Sequence, residues 1–73
     1  MENKERTYLT RAESADFLTA QGLPTPKGTL QKLASVGGGP PYRIYGNKAL
    51  YTPDDLIDWA HARLTEPRSS TSV

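Results

Sequence analysis

The chain contains no cysteine and only one histidine, His61, so it cannot form a disulfide framework or a metal site built from thiolates or several imidazoles. No apolar run approaches the roughly 18 residues that a membrane-spanning helix needs. The first six residues are mostly charged and lack the apolar stretch of a secretory signal. Apolar residues make up 36% of the 73 positions, which suffices for one small core. We therefore expect a single soluble domain in the cytoplasm, without membrane contact.

Acidic residues are also absent from the middle of the chain, between Asp16 and Asp54. Four cations lie in this acid-free window of residues 17–53: Lys27, Lys32, Arg43 and Lys48. The segments before and after the window carry formal charges of −1 and −2, which reduce its +4 to the total of +1. The near-neutral total therefore hides a polarised molecule, and a basic segment of this kind favours a polyanionic partner.

The first predicted helix runs from about Arg11 to Gln21. Thr10 followed by Glu13 fits a capping box, in which the threonine hydroxyl and the glutamate carboxylate each bind a free backbone N–H at the helix start. Gly22 is expected to end the helix in the left-handed conformation.

The second predicted helix begins with Thr25 as its N-cap and Pro26 at the first helical position, where the missing N–H costs nothing. Its apolar stripe consists of Leu30, Leu33 and Ala34, and it ends at Ser35-Val36. The run Gly37-Gly-Gly-Pro-Pro41 then separates the helix from the next element.

Residues 42–51 predict a β-hairpin with a two-residue turn, Gly46-Asn47. This pairing places Tyr42, Ile44, Ala49 and Tyr51 on one face, and Arg43, Tyr45, Lys48 and Leu50 on the other. A three-residue loop would shift the register by one, burying Tyr45 and exposing Ile44.

The third predicted helix begins with Thr52 as N-cap, Pro53 at the first position and two acids that suit the positive end of the helix dipole. Its apolar face is formed by Leu56, Ile57, Trp59, Ala60 and Leu64. We expect Trp59, Tyr42 and Tyr51 to lie in the core, since a chain this small needs its large apolar groups inside. Residues 1–7 are expected to be flexible, 8–64 to form the domain and 65–73 to be a disordered tail.

Catalytic chemistry has little support in this sequence. His61 falls late in the third helix, where a cation is favoured by the helix dipole, and no second ligand type accompanies it. Asp54, Asp55 and Asp58 fall on different faces of that helix, and the first two are explained by its start. The three glycines at 37–39 follow a helix and precede a strand, the reverse of the order in a phosphate-binding loop. We expect no enzyme activity, no cofactor and no metal.

Double-stranded DNA is the better candidate partner, because two short helices joined by a tight turn match a helix-turn-helix. In that motif the start of the second helix faces the base edges, which here gives Thr25, Lys27, Gly28, Thr29, Gln31 and Lys32. A basic hairpin beside such a helix is a wing, which here would contact DNA through Arg43, Tyr45, Asn47 and Lys48. The predicted fold is mostly α with a β-hairpin, a winged helix-turn-helix. Each feature alone also fits a solvated basic surface, or a face that binds an acidic protein.

Several segments resemble one family. They are Tyr8-Leu-Thr10 before a helix with Glu13 and Ala15, then Gly39-Pro-Pro-Tyr42, Gly46, Tyr51, Asp55-Leu56 and Trp59. Together they are similar to the small winged helix-turn-helix domains of phage-type excisionases and AlpA-like regulators, a branch of the MerR-like DNA-binding fold. The resemblance spans about Tyr8 to Leu64.

The resemblance implies one of two roles on DNA. Excisionases of this kind are recombination directionality factors that bind repeated sites, bend the DNA and direct an integrase toward excision. AlpA-like members are transcription regulators of mobile genetic elements. An excisionase role further implies an integrase partner, and we expect copies to associate head-to-tail along DNA because no long coiled coil follows the third helix.

Overall fold

A computed structural model of the chain describes residues 7–67. Its elements in chain order are α1 (Arg11–Ala20), α2 (Lys27–Val36), β1 (Arg43–Tyr45), β2 (Lys48–Leu50) and α3 (Pro53–Ala62). Three helices with one antiparallel hairpin confirm the predicted fold class, mostly helical with a β-hairpin and compatible with a winged helix-turn-helix. In this part of the chain no helix has the length and apolar character needed to cross a bilayer. The predicted flexible segment (residues 1–7) and disordered tail (residues 65–73) lie outside the described residues except for Thr7 and residues 65–67.

The first and third helices begin at the predicted caps. The Thr10 hydroxyl accepts from the Glu13 backbone N–H at 3.2 Å, and the Glu13 carboxylate accepts from the Thr10 N–H at 2.9 Å, which completes the capping box. In α3 the Thr52 hydroxyl accepts from the Asp55 N–H at 3.2 Å. Gly22 follows α1 with a φ of 86°, the left-handed conformation expected from the sequence.

The start of α2 differs from the prediction. Pro26, not Thr25, is the N-cap, and no side chain caps this helix. Thr25 is buried, and its hydroxyl donates to the Leu23 carbonyl at 2.9 Å. The predicted Thr25 cap is therefore wrong, because a tertiary environment between α1 and α2 holds the hydroxyl in a local turn.

The hairpin has the predicted register, with Tyr45 opposite Lys48, Ile44 opposite Ala49 and Arg43 opposite Leu50. On the other edge of β2 the chain pairs with Leu9, whose N–H and carbonyl exchange hydrogen bonds of 2.7 and 2.8 Å with Tyr51. This bridge attaches the base of the hairpin to the segment that precedes α1.

The core lies where α1 and α3 meet the base of the hairpin. Its buried cluster consists of Leu18, Tyr51, Leu56 and Ala60, and α1 also packs against α2, whose Leu30 is fully buried. Trp59 packs against this cluster while remaining partly exposed. Its indole N–H donates to the Gly38 carbonyl at 2.8 Å and so ties α3 to the loop that follows α2.

Three apolar side chains expected inside are exposed: Tyr42 at 40%, Ile44 at 63% and Leu64 at 60%. Ile44 lies on the predicted face of a correctly registered hairpin, but only the part of that face near Tyr51 and Ala49 packs against the core, and Ile44 stays exposed. Leu64 lies beyond the end of α3, where the chain has left the packed helix. The prediction that Tyr42 belongs to the core with Tyr51 and Trp59 is wrong for Tyr42.

Candidate nucleic-acid interface

The outward side of α2 carries the predicted polar residues. The side chains of Lys27, Gln31 and Lys32 are exposed there, and Gly28 lies beside them. We call these four residues the α2 face. Positions 27 and 31, and likewise 28 and 32, are one helical turn apart, so they form two adjacent rows opposite the buried Leu30. Of the remaining predicted residues on this helix, Thr29 is half-buried and Thr25 is buried, so Thr25 does not belong to the α2 face.

The backbone at the start of α2 is open. No side chain caps the helix, and within residues 7–67 the N–H groups of Lys27 and Gly28 have no protein acceptor. Apart from the neighbouring helix backbone, no heavy atom of residues 7–67 lies within 4 Å of the point where a Cβ on Gly28 would stand. These donors are therefore directed toward solvent at the positive end of the helix dipole, next to the Lys27 side chain.

The hairpin, which we call the wing, presents all four of its predicted contact residues to solvent. Arg43, Tyr45, Asn47 and Lys48 are exposed, and the exposed fraction of the Tyr45 side chain is 76%. The cross-strand pairing of Tyr45 with Lys48 places a phenol beside an ammonium group near the turn. The wing thus has two cations and an aromatic ring on one narrow projection.

The four cations of the acid-free window and the exposed aspartates lie on different structural elements. The four cations of the acid-free window lie on α2 and the wing, and none forms an ion pair or a hydrogen bond through its side chain within residues 7–67. The exposed aspartates Asp16, Asp54 and Asp58 lie on α1 and α3. The charge pattern seen in the sequence is therefore also a pattern of surfaces, with positive charge on the two elements that carry the predicted contacts.

A fifth cation, Arg11, was predicted from the sequence only as the start of the first helix, without a binding role. It is partly buried at the first position of α1, and its Nε–H donates to the Tyr51 hydroxyl at 3.0 Å. Its guanidinium carbon lies 5.7 Å from the ring centre of Tyr42 and 5.9 Å from that of Tyr51. The partners are about 30 and 40 positions away in the chain, so no local motif signals this arrangement.

A shallow groove separates the start of α2 from the end of α3. Its lining includes Pro26, Thr29, Trp59 and Arg63, and the Arg63 guanidinium carbon lies 4.8 Å from the centre of the Trp59 ring. The groove contains no pair of carboxylates and no histidine. It offers an aromatic surface and one cation, and no set of groups for acid–base chemistry.

His61 is exposed near the end of α3, as expected from the sequence. Within residues 7–67 no three histidine or carboxylate side chains come close enough to hold a metal ion. Asp54, Asp55 and Asp58 are thus distributed along the helix without forming a cluster.

No protein-family profile matches the sequence, and no curated protein matches it.

Proposed function

We propose that this chain is a sequence-specific DNA-binding protein whose α2 face and wing contact the duplex. One observation carries the proposal: all four cations of the acid-free window are exposed on these two elements and have no partner among residues 7–67, while the exposed aspartates lie on α1 and α3. Clustered cations without internal partners suit the regular negative charge of a nucleic-acid backbone.

The α2 face would supply sequence readout in the major groove. Lys27 can donate to the O6 and N7 acceptors of guanine, and the Gln31 amide can pair with the N6 and N7 atoms of adenine. The Thr29 methyl suits a thymine methyl group, and Gly28 lets the helix backbone approach closely. Lys27 and Lys32 are separated by about 7.5 Å along the helix axis, about two base-pair steps, so both can reach one stretch of groove.

The wing would position the domain on the backbone. Arg43 and Lys48 are suited to phosphate oxygens, and the exposed Tyr45 and Asn47 can donate hydrogen bonds to phosphate or sugar. Such contacts fix orientation and contribute affinity with little dependence on sequence. The two elements therefore have separable roles that mutation can distinguish.

One copy would bind weakly even if all four cations of the window neutralised a phosphate, the upper limit for these two elements. Each neutralised phosphate contributes a slope of about −0.9 to the dependence of log affinity on log salt, so four contacts lose roughly 150-fold in affinity between about 50 and about 200 mM salt. Several copies on adjacent sites, cooperating through protein contact and a shared bend in the DNA, would overcome this weakness. Head-to-tail association fits because such contacts extend along a filament and do not close.

Within this class we propose an excisionase, or recombination directionality factor, that directs an integrase toward excision. The proposal draws on the family resemblance of Tyr8 to Leu64 and on the small size of a domain that must act in several copies. An AlpA-like transcription regulator would use the same surface. An integrase gene beside this one would favour the excisionase, and excision reconstituted with that integrase separates the two roles. Excision that proceeds equally well without this protein would leave the transcription regulator.

The binding experiment uses fluorescence anisotropy with mixed-sequence duplexes at low and moderate salt, followed by a footprint on DNA flanking the gene. Lys27→Ala and Gln31→Ala should lose specific binding while their thermal melting stays close to that of the wild type, because both side chains are exposed. His61→Ala, exposed on α3 and outside the proposed interface, is the matched control and should bind normally. Absence of duplex binding by the wild type at either salt concentration would refute a DNA-binding role, and unchanged binding by both variants would place the contact elsewhere.

A further inference from the structure

Arg11 is placed where a helix disfavours a cation. It is the first residue of α1, next to the positive end of the helix dipole, and within residues 7–67 no carboxylate pairs with it. Glu13, the acid in the same turn, accepts a hydrogen bond from the backbone of Thr10. Among the described residues, an ion pair therefore does not hold the Arg11 side chain in place.

The guanidinium is nevertheless held firmly. The rings of Tyr42 and Tyr51 lie within 6 Å of it, inside the range of cation–π attraction, and the two rings contact each other with centres 5.6 Å apart. The Nε–H bond to the Tyr51 hydroxyl fixes the plane of the group. The ordering cost of a long side chain is thus met within the protein before any ligand arrives.

The two Nη amino groups of the Arg11 guanidinium have no hydrogen-bond partner among residues 7–67. An arginine has five N–H donors, and only the one on Nε has an acceptor within residues 7–67. The Nη groups remain, and their parallel N–H bonds match two oxygens of one phosphate. Tyr42, the residue beside the guanidinium, leads directly into β1 and Arg43.

We infer that Arg11 is a preorganised binding site for a phosphate group of the DNA backbone, beside the base of the wing. This inference rests on the proposed DNA-binding function and extends it to α1. Tyr42 and Tyr51 are positioning residues for the Arg11 guanidinium. This role explains why the half-exposed Tyr42 ring lies against a cation outside the core. Arg11 adds a fifth cation to the proposed interface and connects the wing to the start of α1.

The test compares the salt dependence of duplex binding by the wild type, Arg11→Gln and Gln21→Glu. Each lost phosphate contact makes the slope of log affinity against log salt concentration shallower by about 0.9. When salt is raised from about 50 to about 200 mM, the affinity of the wild type should therefore fall by a factor roughly 3.5 times larger than that of Arg11→Gln. Gln21→Glu changes the net charge equally at the exposed C-cap of α1, about 15 Å along the helix and beyond the screening length of about 10 Å, so it should keep the wild-type slope. Arg11→Lys keeps the charge but loses the planar fork, so it should bind more weakly with the wild-type slope.

A wild-type slope in a folded Arg11→Gln protein that still binds DNA would overturn the inference and leave the proposed function intact. Failure of the wild type to bind duplex would instead remove the proposed function. Because Arg11→Gln takes a partner from the buried Tyr51 hydroxyl, its folding is checked by thermal melting.

A second measurement uses only the wild-type protein. The Arg11 Nε–H resonance in a ¹⁵N spectrum should shift on addition of duplex, while the Gln21 side-chain amide should not. An unmoved Arg11 resonance overturns the inference. In a separate sample, inorganic phosphate is added at the phosphate concentration of the duplex sample. An equal shift of the Arg11 resonance there would assign the site to free anions and overturn its assignment to the DNA backbone.

Discussion

Replacement of Gly28 by alanine should raise stability and lower DNA affinity at the same time. Gly28 is the second residue of α2, has helical backbone geometry, and has open space where a Cβ would stand. Alanine is therefore accommodated without a clash. The change should increase the free energy of unfolding by roughly 0.5–1 kcal/mol, because glycine gives up more backbone freedom in a helix. For a domain of this size, this raises the melting temperature by about 2–8 °C.

DNA binding should respond in the opposite direction. If the open N–H groups at the start of α2 approach a phosphate, a methyl group on Gly28 would stand between the helix and the backbone of the duplex. Hydrogen bonds to charged groups are worth about 1.5–3 kcal/mol, so loss of one contact would weaken binding about tenfold or more. A helix whose outward side is merely solvated would show the gain in stability alone.

The assay pairs thermal melting by circular dichroism with fluorescence anisotropy on the same samples. Gly22→Ala is the control, since it also has nothing within 4 Å of a new Cβ but has a φ of 86°. It should melt at a lower temperature, because a left-handed backbone costs alanine about 1–2 kcal/mol. A Gly28→Ala protein that melts higher and binds DNA with undiminished affinity would refute a close approach of the α2 backbone to DNA.

Three substitutions test the framework that holds the two surfaces together, each by urea unfolding. Thr52→Ala should cost about 1 kcal/mol by removing the side-chain cap of α3, and a loss below a few tenths would mean that solvent replaces the cap fully. Gly39→Ala should lower the free energy of unfolding by about 1–3 kcal/mol, because the new Cβ would lie 2.9 Å from the Leu33 Cβ, an atom too near the backbone to move aside. A variant as stable as the wild type would show that the loop can shift. Trp59→Phe should lower the free energy of unfolding by only about 0.5–1.5 kcal/mol, because it keeps most of the packing and loses one solvent-accessible hydrogen bond to the Gly38 carbonyl. A larger loss would indicate that the indole fills more of the core than its exposure implies.

The parts of the fold predicted correctly from the sequence are those set by neighbouring residues. The start of α1 depends on Thr10 and Glu13, three positions apart, and the start of α3 depends on Thr52 and the residues just after it. The hairpin register likewise follows from a two-residue turn between alternating side chains. Contacts of this range are visible in a short stretch of sequence.

The errors arise where distant parts of the chain decide. Thr25 is a good N-cap by type, but burial directs its hydroxyl to Leu23. Ile44 has the periodicity of a buried strand residue, yet whether a helix reaches far enough to cover it depends on tertiary packing. The position of the Arg11 guanidinium depends on Tyr51, 40 positions away, so only the assembled domain reveals it.

The bridge between Leu9 and Tyr51 has a consequence for the order in which the domain can form. The segment before α1 acquires its hydrogen-bond partner only when β2 is in place, and the core beneath α1 is completed by Leu56 and Ala60 of α3. A nascent chain that ends after α2 would contain both helices of the helix-turn-helix but lack three of the four side chains of the buried cluster. The long loop between Leu9 and Tyr51 must close before contacts can form that compensate its loss of entropy, and this favours late, cooperative folding. The helix α2 would then become rigid only after the ribosome has released the residues that follow it.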